Sequence, residues 1–299
     1  MLIAQLSDPH VTVEGSFLRS MVDTPARFVA ALDTLAALPR TPDVILLTGD
    51  LVNDATAAEY GLLAECLAHA PAPIVAVPGN HDHPRHLRDT IARLQPDLAP
   101  PPLADADVPS HHTVEDWPVR LVAIDSTRRG YESGEITAAS AEWLDRTLAQ
   151  APDTPTIVLT HHTPYPTGSW WFDYQGVAGA PLLRSLLARH PQVIRVVSGH
   201  VHRSTQTQWG ALVLSTAGST AFQTGTGAGG HDDTPPLIVD QSAPATLLWW
   251  NGDNLVASEA DIAGPAHRLD LREISSEWAS YELAARSGEP IPTDRDTAG

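Results

Sequence analysis

Short, mostly continuous apolar runs recur along the chain, separated by longer stretches in which apolar positions return every three or four residues. The runs are Leu2–Leu6, Val44–Thr48, Ile74–Val77, Arg120–Ile124, Thr156–Thr160, Val193–Ser198 and Ala211–Ser215. Their contiguity, in place of strict alternation, predicts strands covered on both faces. Helical periodicity fills the segments between them. Thr24 can cap a helix that has Pro25 at its first position, with Phe28, Val29, Leu32, Leu35 and Ala36 on one face. Ala55–His69, Pro84–Leu94, Ala138–Gln150 and Pro181–His190 are further amphipathic segments. Such alternation requires crossover connections and stacked layers, and so predicts an α/β sandwich. Ala245–Ser258 breaks the rhythm. Leu247–Trp250, a turn over Asn251–Asn254, and Leu255–Ala257 read as a β-hairpin. Beyond about Ala263 the chain turns polar, and the stretch from Arg286 is expected to be flexible. The predicted organisation is therefore one domain over residues 1–262 and a C-terminal extension over 263–299.

Composition narrows the partners. Eighteen Lys and Arg face 36 Asp and Glu, a formal charge of −18. Such a surface repels phosphate backbones and argues against a nucleic-acid polymer or an anionic membrane as partner. The apolar runs are strand-length, too short for a bilayer-spanning helix. The N-terminus has no basic stretch before an apolar segment, so no signal peptide is expected. The single cysteine, Cys66, cannot form an internal disulfide. A cytoplasmic location is expected.

The 14 histidines are placed informatively. Five predicted strands end in groups able to bind a metal. The first gives Ser7-Asp8-Pro9-His10, the second Gly49-Asp50 and the third Gly79-Asn80-His81-Asp82. Thr156–Thr160 runs into His161-His162, and Val193–Ser198 into Gly199-His200-Val201-His202. Ligands gather at the carboxyl ends of strands in α/β sheets. Carboxylate, imidazole and amide oxygen together suit borderline ions such as Zn, Mn, Fe or Co. Any one of these segments alone would read as a turn, a cap or a solvated loop. Five in order at five strand ends do not.

In this set, Asp8/His10, Asp50, Asn80/His81, His161 and His200/His202, the chain resembles the calcineurin-like metallophosphoesterases, whose signature is D-x-H, GD, GNH(D/E), H and GHxH. The Gly49–Asn53 segment, Ala123-Ile124-Asp125-Ser126 followed by Gly130, and His161-His162 before Pro164 extend the likeness to the branch of class III cyclic-nucleotide phosphodiesterases and bacterial glycerophosphodiesterases. It covers about residues 1–265. One departure is His162-Thr163-Pro164, where the family has His-Pro directly.

The resemblance implies a four-layer α/β/β/α sandwich with a dinuclear centre at the strand C-terminal ends. Asp8, His10, Asp50 and His202 would hold one ion. Asp50, Asn80, His161 and His200 would hold the other, with Asp50 bridging. Such a pair supports in-line attack on phosphorus by a metal-bridged hydroxide. His81 would be the transition-state stabiliser or leaving-group acid, with a packing role as the alternative. His162 either orients a ligand or fills the loop, and is counted with Trp170, Trp171 and Tyr174 on the substrate side. Asp82 and Asp125 read as local caps.

Trp170, Trp171, Phe172 and Tyr174 could stack on a purine, or could form a subunit contact in a homodimer or higher homo-oligomer. The loop Phe222–Asp233, with His231, resembles a region lining the pocket or dimer edge. Hydrolysis of small phosphodiesters is expected, cyclic nucleotides first and glycerophosphodiesters second. A metal-dependent amidohydrolase is a competing reading, but that class begins with His-x-His and has a TIM-barrel rhythm. A non-catalytic metal-binding scaffold is another, set against the presence of every ligand and of His81. Arg85, Arg128, Arg129 and Arg203 are the only arginines near the motifs, and they form no evident clamp for a terminal phosphate.

Overall fold

Two mixed sheets lie face to face, with helices on both outer sides. The computed structural model describes residues 1–103, 108–225 and 238–262. In chain order the principal strands are β1 (Leu2–Leu6), β2 (Val44–Thr48), β3 (Ile74–Val77), β4 (His112–Val114), β5 (Arg120–Ala123), β6 (Thr156–Leu159), β7 (Val193–Ser198), β8 (Thr205–Trp209), β9 (Leu212–Thr216), β10 (Ala245–Trp250) and β11 (Leu255–Ala260). The helices are α1 (Phe17–Met21), α2 (Thr24–Ala36), α3 (Ala57–Leu67), α4 (Pro84–Leu94), α5 (Ala138–Ala149), α6 (Trp170–Tyr174) and α7 (Ala180–Leu187).

One sheet runs β11-β10-β1-β2-β3 and the other β8-β9-β7-β6-β5-β4. Parallel runs form the body of both sheets: β1, β2 and the edge strand β3 in the first, and β5, β6, β7 and β9 in the second. Strands β10 and β11 on one side of the first sheet, and β4 and β8 at the two edges of the second, are antiparallel to their neighbours. The period of two in β2 divides the cores. Val44 and Leu46 join the apolar layer between the sheets with Ile3, Leu121, Ile157 and Val197, whereas Ile45 and Leu47 pack against Phe28, Leu32 and Leu63 of α2 and α3. A third cluster joins the second sheet to Leu144, Leu148, Leu183 and Leu187 of α5 and α7. Three apolar interfaces separate four layers, α/β/β/α. Two open sheets are not a closed barrel, which removes the amidohydrolase alternative.

Local chemistry moves some predicted boundaries. Asp23, not Thr24, caps α2 by accepting from the Ala26 N–H, while the buried Thr24 hydroxyl donates to the His10 carbonyl at 2.8 Å. Helix α3 starts at Ala57 because Thr56 and Glu59 form a capping box and Ala55 takes φ +53°. The edge strands β4 and β8 carry no continuous apolar run; β8 reads TQTQW, with alternate positions exposed. The hairpin follows the predicted turn, and its arms reach Ala245 and Ala260. Met1–Ile262 forms one unit. The extension over 263–299 and most of the Phe222–Asp233 loop, His231 included, lie outside the described residues.

His111 and His112, at the start of β4, are both held down to about 4 by burial. They are neutral in the folded chain, whereas the unfolded chain protonates them below about 6.5. Stability should therefore be full above that value and fall as pH drops toward 4, by up to about 1.4 kcal/mol per pH unit per group. Denaturant midpoints measured from pH 7.5 to 4.5 should show this slope, and His112→Gln should flatten it. An unchanged slope in that variant would refute the assignment.

Candidate metal centre

The parallel strands point their carboxyl ends to one edge, where β1, β2, β3, β6 and β7 deliver Asp8/His10, Asp50, Asn80/His81, His161 and His200/His202. Leaving a strand and immediately turning a ligand inward requires unusual backbone. Asp8, His10, Asp50, His200 and His202 all have positive φ, at 51°, 43°, 51°, 70° and 50°. Each such residue costs roughly 1–3 kcal/mol and persists only where its surroundings over-determine it. Here neighbouring backbone does so. The Asp8 and His10 N–H groups donate to the Gly49 and Asp50 carbonyls at 3.1 and 3.0 Å, and the His200 N–H donates to the Asp8 carboxylate at 3.1 Å. Two glycines make room. A Cβ on Gly79 would lie 2.1 Å from Asp50 Oδ1, and one on Gly49, at φ +93°, would lie 2.3 Å from His161 Nδ1.

The side chains converge through their electron pairs. His161 Nδ1–H donates to the Thr48 carbonyl at 2.7 Å, which leaves its Nε2 lone pair facing Asp50 Oδ2 at 3.4 Å and Asn80 Oδ1 at 3.1 Å. His202 Nδ1–H donates to the Phe222 carbonyl at 3.1 Å, so its Nε2 faces His10 Nε2 at 3.1 Å and Asp8 Oδ1 at 3.5 Å. Asp50 Oδ2 is also 3.6 Å from His10 Nε2. One carboxylate oxygen thus lies between the two groups. His200 Nε2 is buried with no hydrogen-bond partner. Acceptors do not converge in this way unless a cation or a proton sits among them, and these donors fit borderline metal ions. A proton is the alternative occupant. The Asp50 and Asp8 carboxylates outweigh burial and hold His161 up at about 9, and burial lifts Asp8 to about 7.

The neighbours divide by which atoms are free. His81 Nδ1–H donates to the Asn53 carbonyl at 2.7 Å, and its Nε2 lies 4.0 Å from Glu132 Oε2. Burial opposes its charge, but Asp50, the Asn53 carbonyl and Glu132 prevail and hold it above the usual histidine value. His162 lies beneath the centre. It is fully buried, its Nδ1 meets Ser126 Oγ at 2.9 Å, and its Nε2–H donates to the Glu132 carbonyl at 3.0 Å. Its ring nitrogens lie near those of His161 and His200, and both make hydrogen bonds within the protein. Asp82 caps the N–H groups of Leu51, Val52 and Gly79, and Asp125 those of Ser110 and Thr127.

A sequence profile of the calcineurin-like phosphoesterases matches residues 1–204. The chain belongs to that family. It is 28% identical over 282 residues to the glycerophosphodiester phosphodiesterase GpdQ of Enterobacter lignolyticus, covering 94% of this chain and 90% of that one. It is 33% identical over 224 residues to the 3′,5′-cyclic adenosine monophosphate phosphodiesterase CpdA of Escherichia coli, covering 74% of this chain and 76% of that one. In fold it is similar to a dimetal phosphatase from Danio rerio, with a TM-score of 0.63 at 15% identity, over 88% of this chain and 96% of that one.

Over this phosphoesterase centre lies a cleft of about 780 Å³. Trp171 and Phe172 of α6 line it, together with Phe17, Met21 and Phe222. Tyr174 does not. It is 84% exposed and borders a separate depression. The Trp170 side chain lies outside the described residues. Nothing in the sequence marks Phe17 and Met21 as site residues, because the five-residue α1 carries no metal-ligand or nucleotide-binding motif. Among the described lining residues none is Lys or Arg, whereas Asp54 and Glu132 are acidic. Arg128 instead stacks on Tyr131 at 3.7 Å, and Arg203 donates to the Thr224 carbonyl.

Metal binding should displace protons from this cluster. With His161 near 9 and Asp8 near 7, affinity should rise as pH increases from 6 to 9, with net proton release at pH 7. Calorimetric Mn²⁺ titrations in buffers of different ionisation enthalpy measure that release, and a pH-independent affinity would contradict it. Gly79→Ala should push the Asp50 carboxylate aside and reduce bound metal in the purified protein.

Proposed function

We propose that this chain is a two-metal phosphodiesterase acting on small phosphodiesters, 3′,5′-cyclic nucleotides first. The observation that carries the reading is Asp50 Oδ2, 3.6 Å from His10 Nε2 and 3.4 Å from His161 Nε2. An anionic carboxylate oxygen in that position can serve two neighbouring cations at once. Asp8, His10, Asp50 and His202 would hold one ion, and Asp50, Asn80, His161 and His200 the other, drawn from Fe, Mn, Zn or Co. Two such ions supply Lewis acidity at phosphorus and an activated water at neutral pH.

The chain's own groups supply the rest. The carbonyls of Thr48 and Phe222 fix the ring orientation and tautomer of His161 and His202. His81, turned by the Asn53 carbonyl and held above the usual histidine value by Asp50, would present Nε2 at the cleft to meet the developing charge on the leaving oxygen. Trp171 and Phe172 offer a stacking surface for a base. The cleft has acidic neighbours and no described cation, so a monoanionic diester fits it better than a dianionic monoester. Glycerophosphodiesters are the second reading, supported by the GpdQ match, which spans more of the chain than the CpdA match. A cytoplasmic site of action accords with the lone buried Cys66.

A panel of cyclic AMP, cyclic GMP, 2′,3′-cyclic nucleotides, glycerophosphodiesters and monoesters, assayed on metal-reconstituted protein, tests the reading. Diesters should be cleaved and monoesters poorly, and chelation should lower the melting temperature and abolish turnover together. Failure to hydrolyse even bis(p-nitrophenyl) phosphate would favour a non-catalytic scaffold.

Within this scheme, His81→Ala should retain both ions and lose kcat. Loss of an ion in that variant would reassign the residue. Trp171→Ala should raise KM for a cyclic nucleotide about five-fold or more, from the ~1–3 kcal/mol of a stacked base, and leave a glycerophosphodiester little affected. Tyr174→Ala should alter neither KM. A change in oligomeric state would instead assign the exposed ring to a subunit contact.

A further inference from the structure

Asn80 is the weakest donor at the centre, a neutral amide on a half-exposed loop residue. It is also the one donor whose two ends are nearly the same shape and opposite in chemistry. Its oxygen can serve a cation, and its NH₂ would repel one. In the structure Oδ1 faces His161 Nε2 at 3.1 Å, and Nδ2 donates to Glu132 Oε2 at 2.7 Å. An ionised carboxylate accepts only, so it can be faced by the nitrogen end alone. We propose that Glu132 is a positioning residue for the second metal site, holding Asn80 so that its amide oxygen is turned toward the ion.

The loop carrying Glu132 is fastened independently of any ion. Its carbonyl accepts from the fully buried His162, which in turn meets Ser126 Oγ, and the Glu135 N–H donates to the Ser126 carbonyl at 2.9 Å. The carboxylate therefore stands over Asn80 while its side chain stays 64% exposed. That exposure lets it be replaced without disturbing the buried network, which uses only its backbone. The same contact increases negative charge on the amide oxygen by withdrawing its N–H toward the carboxylate, as outer hydrogen bonds do for other metal ligands.

This inference rests on Asn80 being a ligand, and a double-mutant cycle separates the two claims. The full-length protein is stripped of metal and titrated with Mn²⁺ as wild type, Glu132→Ala, Glu132→Gln, Asn80→Ala and the Glu132→Ala/Asn80→Ala double variant. Apo melting temperatures check that each variant is folded. Glu132→Ala should weaken one of the two ions about ten-fold or more, the range set by outer hydrogen-bond partners, and leave the other within about two-fold. Glu132→Gln, which can present either end to Asn80, should fall between. The double variant should bind no more weakly than Asn80→Ala alone. Equal weakening of both ions, or additive losses, would mean that Glu132 only attracts cations by its charge and would overturn the proposal. So would unchanged binding in Glu132→Ala beside a lost ion in Asn80→Ala. If Asn80→Ala itself keeps both ions at wild-type affinity, the ligand set proposed above falls first, and the role of Glu132 with it.

Discussion

Seven side chains from five strand ends bring their metal-binding atoms together, and only a cation or a proton among them makes the encounter favourable. Most of the local structure at that edge follows from this constraint. The second ring nitrogens of His161 and His202 are spent on the Thr48 and Phe222 carbonyls, so their remaining lone pairs have one direction to face. Five of the side chains stand on left-handed backbone, because a chain leaving a strand end must double back to present a side chain inward. Gly79 and Gly49 lack the Cβ that would occupy the space of Asp50 and His161. The fold is thus locally strained in favour of a cation, and protons on His161 and Asp8 are the nearest substitute.

The surrounding charge acts at a second level. A chain with formal charge −18 carries its acidity into the cleft through Asp54 and Glu132, while the arginines nearest the motifs have other partners or other places. Such a cleft depends on bound cations to attract any phosphate and offers little to a second negative charge. Its apolar wall is assembled from α1, α6 and Phe222, elements remote from one another in sequence. Affinity for the organic part of a substrate and chemistry at phosphorus therefore come from different elements.

Legibility in the sequence followed the strength of the local signal. Strands buried on both faces were plain as apolar runs, and the three interlayer cores formed from those residues. Edge strands β4 and β8 carry no apolar run, β4 because it is three residues long with one apolar side chain, and β8 because its alternate positions are exposed and polar. The periodicity of helix α2 is plain in the sequence, but its cap is Asp23, one residue earlier, because the Thr24 hydroxyl is drawn to the His10 carbonyl by a contact made only in three dimensions.

The spacing of Asp8/His10, Asp50, Asn80/His81, His161 and His200/His202 after five apolar runs determined the family, the layered fold and the chemical type of the centre. It did so because parallel strands in one sandwich deliver their ends to one edge, so order along the chain translates directly into proximity. What each histidine does was decided by the tertiary structure. His81, His161 and His162 are equally ordinary in sequence. One is free at Nε2 toward the cleft, one is aimed at Asp50, and one is locked between Ser126 and the Glu132 carbonyl. A side chain's role depends on which of its atoms remain uncommitted after folding, and those commitments are to backbone groups tens of residues away.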